Sequence, residues 1–216
     1  MTGKQKSTAD SPLPDHNPFA TRYVRPGALD FVFSSGPSTA ELVQRLAEAG
    51  GWGQIIGPHG SGKSTLLAAV VEELRRACFS PVLFSLRDSQ RRMPAGWVKQ
   101  VRQEPISVQP TIVIVDGYEQ LNWLATRRLR RKCLRLRWGL LVSAHHDIGL
   151  PTMHRTASTL DLAVSLVGQL TGERPPIDRD VIRRAFVNHN GNLRDVFFEL
   201  YDHYEQHYRR SPDCRR

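Results

Sequence analysis

"GPHGSGKST", residues 57 to 65, satisfies the pattern G-x-x-x-x-G-K-[ST] through Gly57, Gly62, Lys63 and Ser64. The chemistry behind that spacing is specific. Glycines let the backbone wrap closely around a phosphate and turn its N–H groups inward, and the lysine adds a cation facing the outer phosphates. The hydroxyl after the lysine is a hard ligand for Mg²⁺. The pattern needs a strand before it and a helix after it, and both are written here. "GWGQIIG" (51–57) is a short apolar strand running into the loop, and "KSTLLAAVVEELRRA" (63–77) is a helix whose first turn would hold the phosphates. The bland alternative, a Gly-rich surface turn, does not call for that flanking order.

Working outward, strands alternate with helical stretches. "SPVLFSLRD" (80–88) reads as a strand and "AGWVKQVRQE" (95–104) as a helix. "TIVIVDG" (111–117) is an almost pure β-branched run, suited to a parallel strand covered on both faces. Residues 123–136 read as a helix, "WGLLVSAHH" (138–146) as another covered strand and "TMHRTAST" (152–159) as a short fifth one. The alternation predicts an α/β fold, a P-loop NTPase parallel sheet of about five strands flanked by helices with right-handed crossovers.

Before the loop, "STAELVQRLAEAG" (38–50) carries a capping box, Ser38 with Glu41, and stops at Gly50. "NPFATRYVRPGALDFVF" (17–33) reads as an ordered extended arm. After about residue 160 the texture is all helix. Leu160, Ala163, Leu166, Val167 and Leu170 share one face, and "DRDVIRRAFVNHN" (178–190) follows. Leu193, Val196, Phe197, Leu200, Tyr201 and Tyr204 line the last helix, with Asn192 as its N-cap. The predicted organisation is a disordered tail over 1–17, an α/β core over 18–159, a small all-helical lid over 160–208 and a basic tail over 209–216.

The 216 residues suit one domain with a small appendage. Hydrophobic content of 40% and charged content of 24% belong to a soluble globular chain. Cys78, Cys133 and Cys214 are scattered, which argues for a reducing compartment and against a disulfide framework or cysteine metal site. No apolar leader and no run approaching ~20 apolar residues is present. The expectation is a cytoplasmic protein without a membrane span. The net charge of +9 is concentrated: residues 121–140 hold Arg127, Arg128, Arg130, Arg131, Lys132, Arg135 and Arg137 and no acid. That segment has three readings: contact with nucleic-acid phosphates, an arginine lent to a neighbouring subunit, or a solvated helix face.

Several polar residues sit where phosphate chemistry would need them. Asp116 ends an apolar strand, where a carboxylate can hold Mg²⁺ through water; a strand-terminal turn aspartate is the plain alternative. Glu119 either positions an attacking water or is a solvated helix-end acid. Ser143, His145 and His146 end the strand at 138–146. His145 is the better candidate for a phosphate oxygen or the lytic water, against an ordinary surface histidine. Arg194 lies in the first turn of the last helix, where a lone cation opposes the helix dipole, and such local conflicts cluster at functional sites.

"GPHGSGKST", "TIVIVDGYEQ", "GLLVSAHH" and the helical tail with "GNLRD", behind a helix-bearing arm, together resemble the AAA+ ATPases. The nearest branch in flavour is the origin-recognition, transposition-helper and STAND-like one, and the resemblance covers roughly residues 17 to 206. It implies ATP and Mg²⁺ as ligands. Gly57, Pro58, His59, Gly60, Ser61, Gly62, Lys63, Ser64 and Thr65 would form the Walker A loop, with Lys63 on the phosphates and Ser64 on the metal. Asp116 is similar to the Walker B aspartate, and Ser143 to His145 fall at sensor 1. Arg194 resembles the sensor 2 arginine of a lid, Arg155 stands where an arginine finger of a homo-oligomer lies, and 17–27 is placed like the segment that packs on adenine. Two departures stand out: Gly117 occupies the usual place of the catalytic glutamate, and sensor 1 is not Asn or Thr. The histidine after "LLVSA" is similar to the switch histidine of ABC-type ATPases.

The expected function is an AAA+-like ATPase that uses Mg-ATP to switch its lid and acts on a protein or nucleic-acid partner. Two rivals remain open. One is a small-molecule or nucleotide kinase with an arginine-bearing lid, against which stand the residues preceding the loop. The other is an ATP sensor or adaptor that does not hydrolyse, which Gly117 favours.

Overall fold

A computed structural model describes residues 16–29, 31–32, 37–87, 89–103, 109–172 and 177–209. Most of the tails assigned to 1–17 and 209–216, Cys214 included, lies outside the described residues. The elements run α1 (Thr21–Val24), α2 (Thr39–Glu48), β1 (Trp52–Ile56), α3 (Lys63–Arg76), β2 (Ser80–Ser85), α4 (Trp97–Gln103) and β3 (Thr111–Asp116). A 3₁₀ turn, Tyr118–Gln120, leads to α5 (Trp123–Leu136), β4 (Gly139–Ala144) and β5 (Thr152–Arg155). Three helices follow, α6 (Leu160–Thr171), α7 (Arg179–Asn188) and α8 (Leu193–Tyr204).

The five strands form one parallel sheet in the order β2-β3-β4-β1-β5. The four central residues of β3 and all of β4 are buried, as strands covered on both faces must be. On one face, Leu42 and Leu46 of α2 and Leu66, Leu67, Val70 and Leu74 of α3 pack on Ile55, Ile112 and Ile114. On the other, Val101 of α4 and Ala125, Leu129 and Cys133 of α5 pack on Val113, Val115, Leu140 and Val142. The capping box of α2 forms as read, with Ser38 and Glu41 exchanging bonds. Such a cap stabilises a helix by about 1 kcal/mol.

The helical end has its own core of Ala163, Val167, Ile182, Ala185, Val196, Phe197 and Leu200. The arm before α2 departs from the extended expectation: residues 21–24 form a short helix, and Pro26 and Leu29 make an isolated bridge. The arm also packs far along the chain. Phe19 is 1% exposed and stacks on Phe197 with centroids 6.3 Å apart. Asn17 donates to the Tyr201 carbonyl and the Glu205 carboxylate. Further on, the arm crosses α3 at Gly27 and Ala68 and brings Phe31 against Gly62.

Candidate functional site

The loop between β1 and α3 is held by its own side chains. Ser61, 2% exposed, donates to the Pro58 carbonyl at 2.8 Å and shares a 2.6 Å hydrogen bond with Thr156, just past β5. Lys63 sits in the first turn of α3 and donates to the Gly57 and Pro58 carbonyls at 2.8 and 2.7 Å. Burial pulls its pKa down, while Glu119 and Asp116 act to raise it. Gly60 shows why this position tolerates no side chain. It has φ +67°, and a Cβ there would collide with Asn192 Oδ1 and the Leu193 backbone nitrogen. The start of α8 therefore lies directly on the loop.

The strand order sets the rest. Because β4 lies between β1 and β3, the polar tip of β4 falls between the loop and Asp116. Ser143 donates to Asp116 Oδ1 at 2.6 Å and accepts from the Gly117 N–H at 2.8 Å. Gly117 is left-handed, φ +82°, and a Cβ would stand 3.0 Å from the Leu86 carbonyl. That backbone makes a glutamate directly after Asp116 strained. The left-handed residue starts the 3₁₀ turn, which carries Glu119 back towards the loop.

There Glu119 Oε1 approaches His145 Nε2 at 2.7 Å, and both side chains are about one-fifth exposed. His145 Nδ1 lies 3.4 Å from Lys63 Nζ and 3.3 Å from the Gly57 carbonyl. Nδ1 thus faces a donor and an acceptor at once, while Nε2 faces the carboxylate. His145 Nε2 and Glu119 Oε2 are both buried without a hydrogen-bond partner among the described residues. Burial lowers the His145 pKa, Glu119 opposes that, and Lys63 and His59 reinforce it. The His59 ring lies on His145 with centroids 3.7 Å apart.

The structure thus brings Lys63, His145 and Glu119 into contact and ties Asp116 to Ser143. Ser64 is half-buried in the first turn of α3. Arg194 is exposed at the start of α8 and makes no ion pair with a described residue. Asn192 caps that helix as read. Arg155 is exposed at the end of β5, and His146 is exposed beside the cluster. Among the described residues no three His, Cys, Asp or Glu side chains converge as a metal cage, and no helix is long and apolar enough to cross a membrane.

The basic segment forms the helix read over 123–136, but its arginines divide. Arg127, Arg128, Arg131 and Arg135 are exposed, alongside Trp123, Leu124 and Leu134. Arg130 turns inward instead: Nε donates to the Tyr118 hydroxyl and Nη2 to the Ile148 carbonyl, both at 2.9 Å. Residue-by-residue reading also missed Thr156 and Gln54. Gln54 is fully buried in β1 and donates to Asp147, Leu150 and Thr152. The signal was present as one amide inside "GWGQIIG".

No family model matches the chain, and no curated protein matches it. Solved structures do resemble it. The replication initiator DnaA bound to AMPPCP and single-stranded DNA superposes with a TM-score of 0.52 at 14% identity, over 81% of this chain and 63% of that one. A DNA replication initiation factor superposes with a TM-score of 0.52 at 14% identity, over 77% of this chain and 59% of that one. The chain therefore spans about three-fifths of each. The likeness is one of fold alone: a parallel sheet flanked by helices, followed by a helical C-terminal part.

Proposed function

We propose that the chain is an AAA+-like ATPase whose site lies between the loop at 57–65 and the start of α8. The observation that carries this reading is the meeting of Lys63, His145 and Glu119 beside the loop, with Glu119 Oε2 buried and lacking a partner among the described residues. An orphaned buried acceptor calls for a donor, and a water poised over a terminal phosphate would supply one. In this reading Lys63 exchanges its two loop carbonyls for phosphate oxygens. Glu119 accepts a proton from the attacking water, and His145 holds the carboxylate. A serine hydroxyl and a carboxylate are hard oxygen donors, which suit Mg²⁺ with phosphate completing its shell. Ser64 and Asp116 would hold it, where it neutralises phosphate charge. Phe31, against Gly62, and the arm around α1 would border the base.

The domain division proposed is an α/β core over 18–159 and a lid over 160–208, with the arm strapped to both. Arg194 would then report the terminal phosphate to the lid. Wild-type protein is expected to prefer ATP over ADP, and Arg194→Ala to bind the two with nearly equal affinity. Equilibrium titration of both nucleotides tests this; undiminished discrimination in the variant removes the lid role. A second reading, a sensor that binds ATP without turnover, is favoured by Gly117, where a catalytic side chain would be strained. Tight binding with no ADP release would select it.

For a partner, the exposed face of α5 suits a nucleic-acid backbone, and Trp123, 68% exposed, offers a stacking surface. Binding to single-stranded DNA should weaken steeply with salt, by about 0.7 in log–log slope per phosphate contacted. Reversing Arg127, Arg128, Arg131 and Arg135 to Glu should remove binding and leave ATP affinity intact. Salt-insensitive binding, or binding that survives the reversal, leaves that face merely solvated. Arg155 as a finger in a homo-oligomer is the companion proposal, read from turnover that rises with protein concentration.

A further inference from the structure

Arg130 is the arginine of α5 that its outer face does not use. We infer that Arg130 is a positioning residue that holds the turn bearing Glu119 against the segment bearing His145. Its kinetic consequence rests on the ATPase reading above; its structural consequence does not.

Glu119 sits on a single 3₁₀ turn of three residues. Turns of that length have poor hydrogen-bond geometry and do not fix a side chain by themselves. The orientation must come from outside the turn. Tyr118, the preceding residue, is 4% exposed and has its ring in the core between β3 and α5. Its hydroxyl accepts from Arg130 Nε at 2.9 Å, and the guanidinium lies 5.8 Å from the ring centroid. The same guanidinium donates to the Ile148 carbonyl, three residues beyond His145.

The chain of contacts continues inward. The Ile148 N–H donates to Gln54 Oε1 at 3.0 Å, and Gln54 Nε2 donates to Asp147 Oδ1 at 2.7 Å. Arg130 thus joins the Glu119 turn to a network anchored in β1, beside the loop that Lys63 closes. Such networks hold a geometry only when every member is present. The fork matters as well: one planar group donates in two fixed directions, which a lysine ammonium on a flexible stem does not reproduce.

Two conservative variants test this. Tyr118→Phe deletes only the acceptor and keeps the ring in the core. Arg130→Lys keeps the charge and loses the fork. The first readout is the titration of the His145 ring, followed by NMR. Glu119 raises its pKa against burial, Lys63 and His59. Loosening Glu119 should therefore move the His145 midpoint to lower pH in both variants, in the same direction as Glu119→Gln. The second readout is turnover, where kcat should fall about tenfold or more with KM within about twofold, as expected for a displaced reacting group.

A His145 midpoint that moves in Glu119→Gln but stays at the wild-type value in Tyr118→Phe and Arg130→Lys overturns the inference. So does a loss confined to KM or to thermal stability. If wild-type protein binds and turns over no ATP, the proposed function fails by itself, and the titration alone decides the role of Arg130.

Discussion

Replacing Lys63 with alanine is expected to weaken ATP binding at least about 100-fold. A charge-assisted hydrogen bond contributes about 1.5–3 kcal/mol, and this ammonium faces the position of two phosphates. The side chain is 9% exposed and its partners are the Gly57 and Pro58 carbonyls, so its charge is held at the loop and not in bulk water. Removing it also strips those carbonyls of a donor. Lys63→Met keeps the stem and serves as the control for loop collapse. Equilibrium binding of a fluorescent ATP analogue, beside a thermal melt of each variant, checks the result. Affinity within about threefold of wild type in both folded variants would sink the claim that 57–65 holds a nucleotide.

Glu119→Gln should lower turnover by about 10²–10⁴-fold, the range for a positioned proton acceptor, with ATP affinity preserved. The amide is isosteric and still presents an oxygen to His145 Nε2, so the turn keeps its geometry. His145→Ala should cost less, because it removes the support and leaves the acceptor. The order of the two losses assigns the roles. If His145→Ala is the more damaging, the histidine positions the water and Glu119 supports it. The lowered His145 pKa leaves the ring neutral at neutral pH, with burial as the main cause. Turnover should hold steady there and decline only as the pH falls below the usual histidine range, where an imidazolium would clamp Glu119.

The sheet and the helices were legible because each carries its own hydrophobic pattern. β3 and β4 are unbroken apolar runs, and the last helix repeats its stripe over three turns. The strand order was not legible, because fully covered parallel strands show no alternation that distinguishes one neighbour from another. Yet that order puts Ser143 and His145 between the loop and Asp116. Glu119 stayed open for a related reason. A spacing of three from Asp116 does not set the path of the chain, whereas the left-handed backbone at Gly117 does. Gly117 looked like the loss of a catalytic group, and it is also the bend that returns a carboxylate to the loop. Arg130 is one base among seven by composition. It is set apart only because it flanks the buried triad Ala125, Leu129 and Cys133, and so leans towards Tyr118.

The bond between Asn17 and the Tyr201 carbonyl joins residues 184 positions apart. During vectorial synthesis, at about 5–20 residues per second, the arm waits on the order of 10–40 s for its partner to emerge. Throughout that interval Phe19 has no α8 to stack on. The α/β part can close earlier, since all five of its strands lie before residue 156. The last folding event is therefore a clasp between the earliest and latest parts of the described chain, made across an already finished sheet.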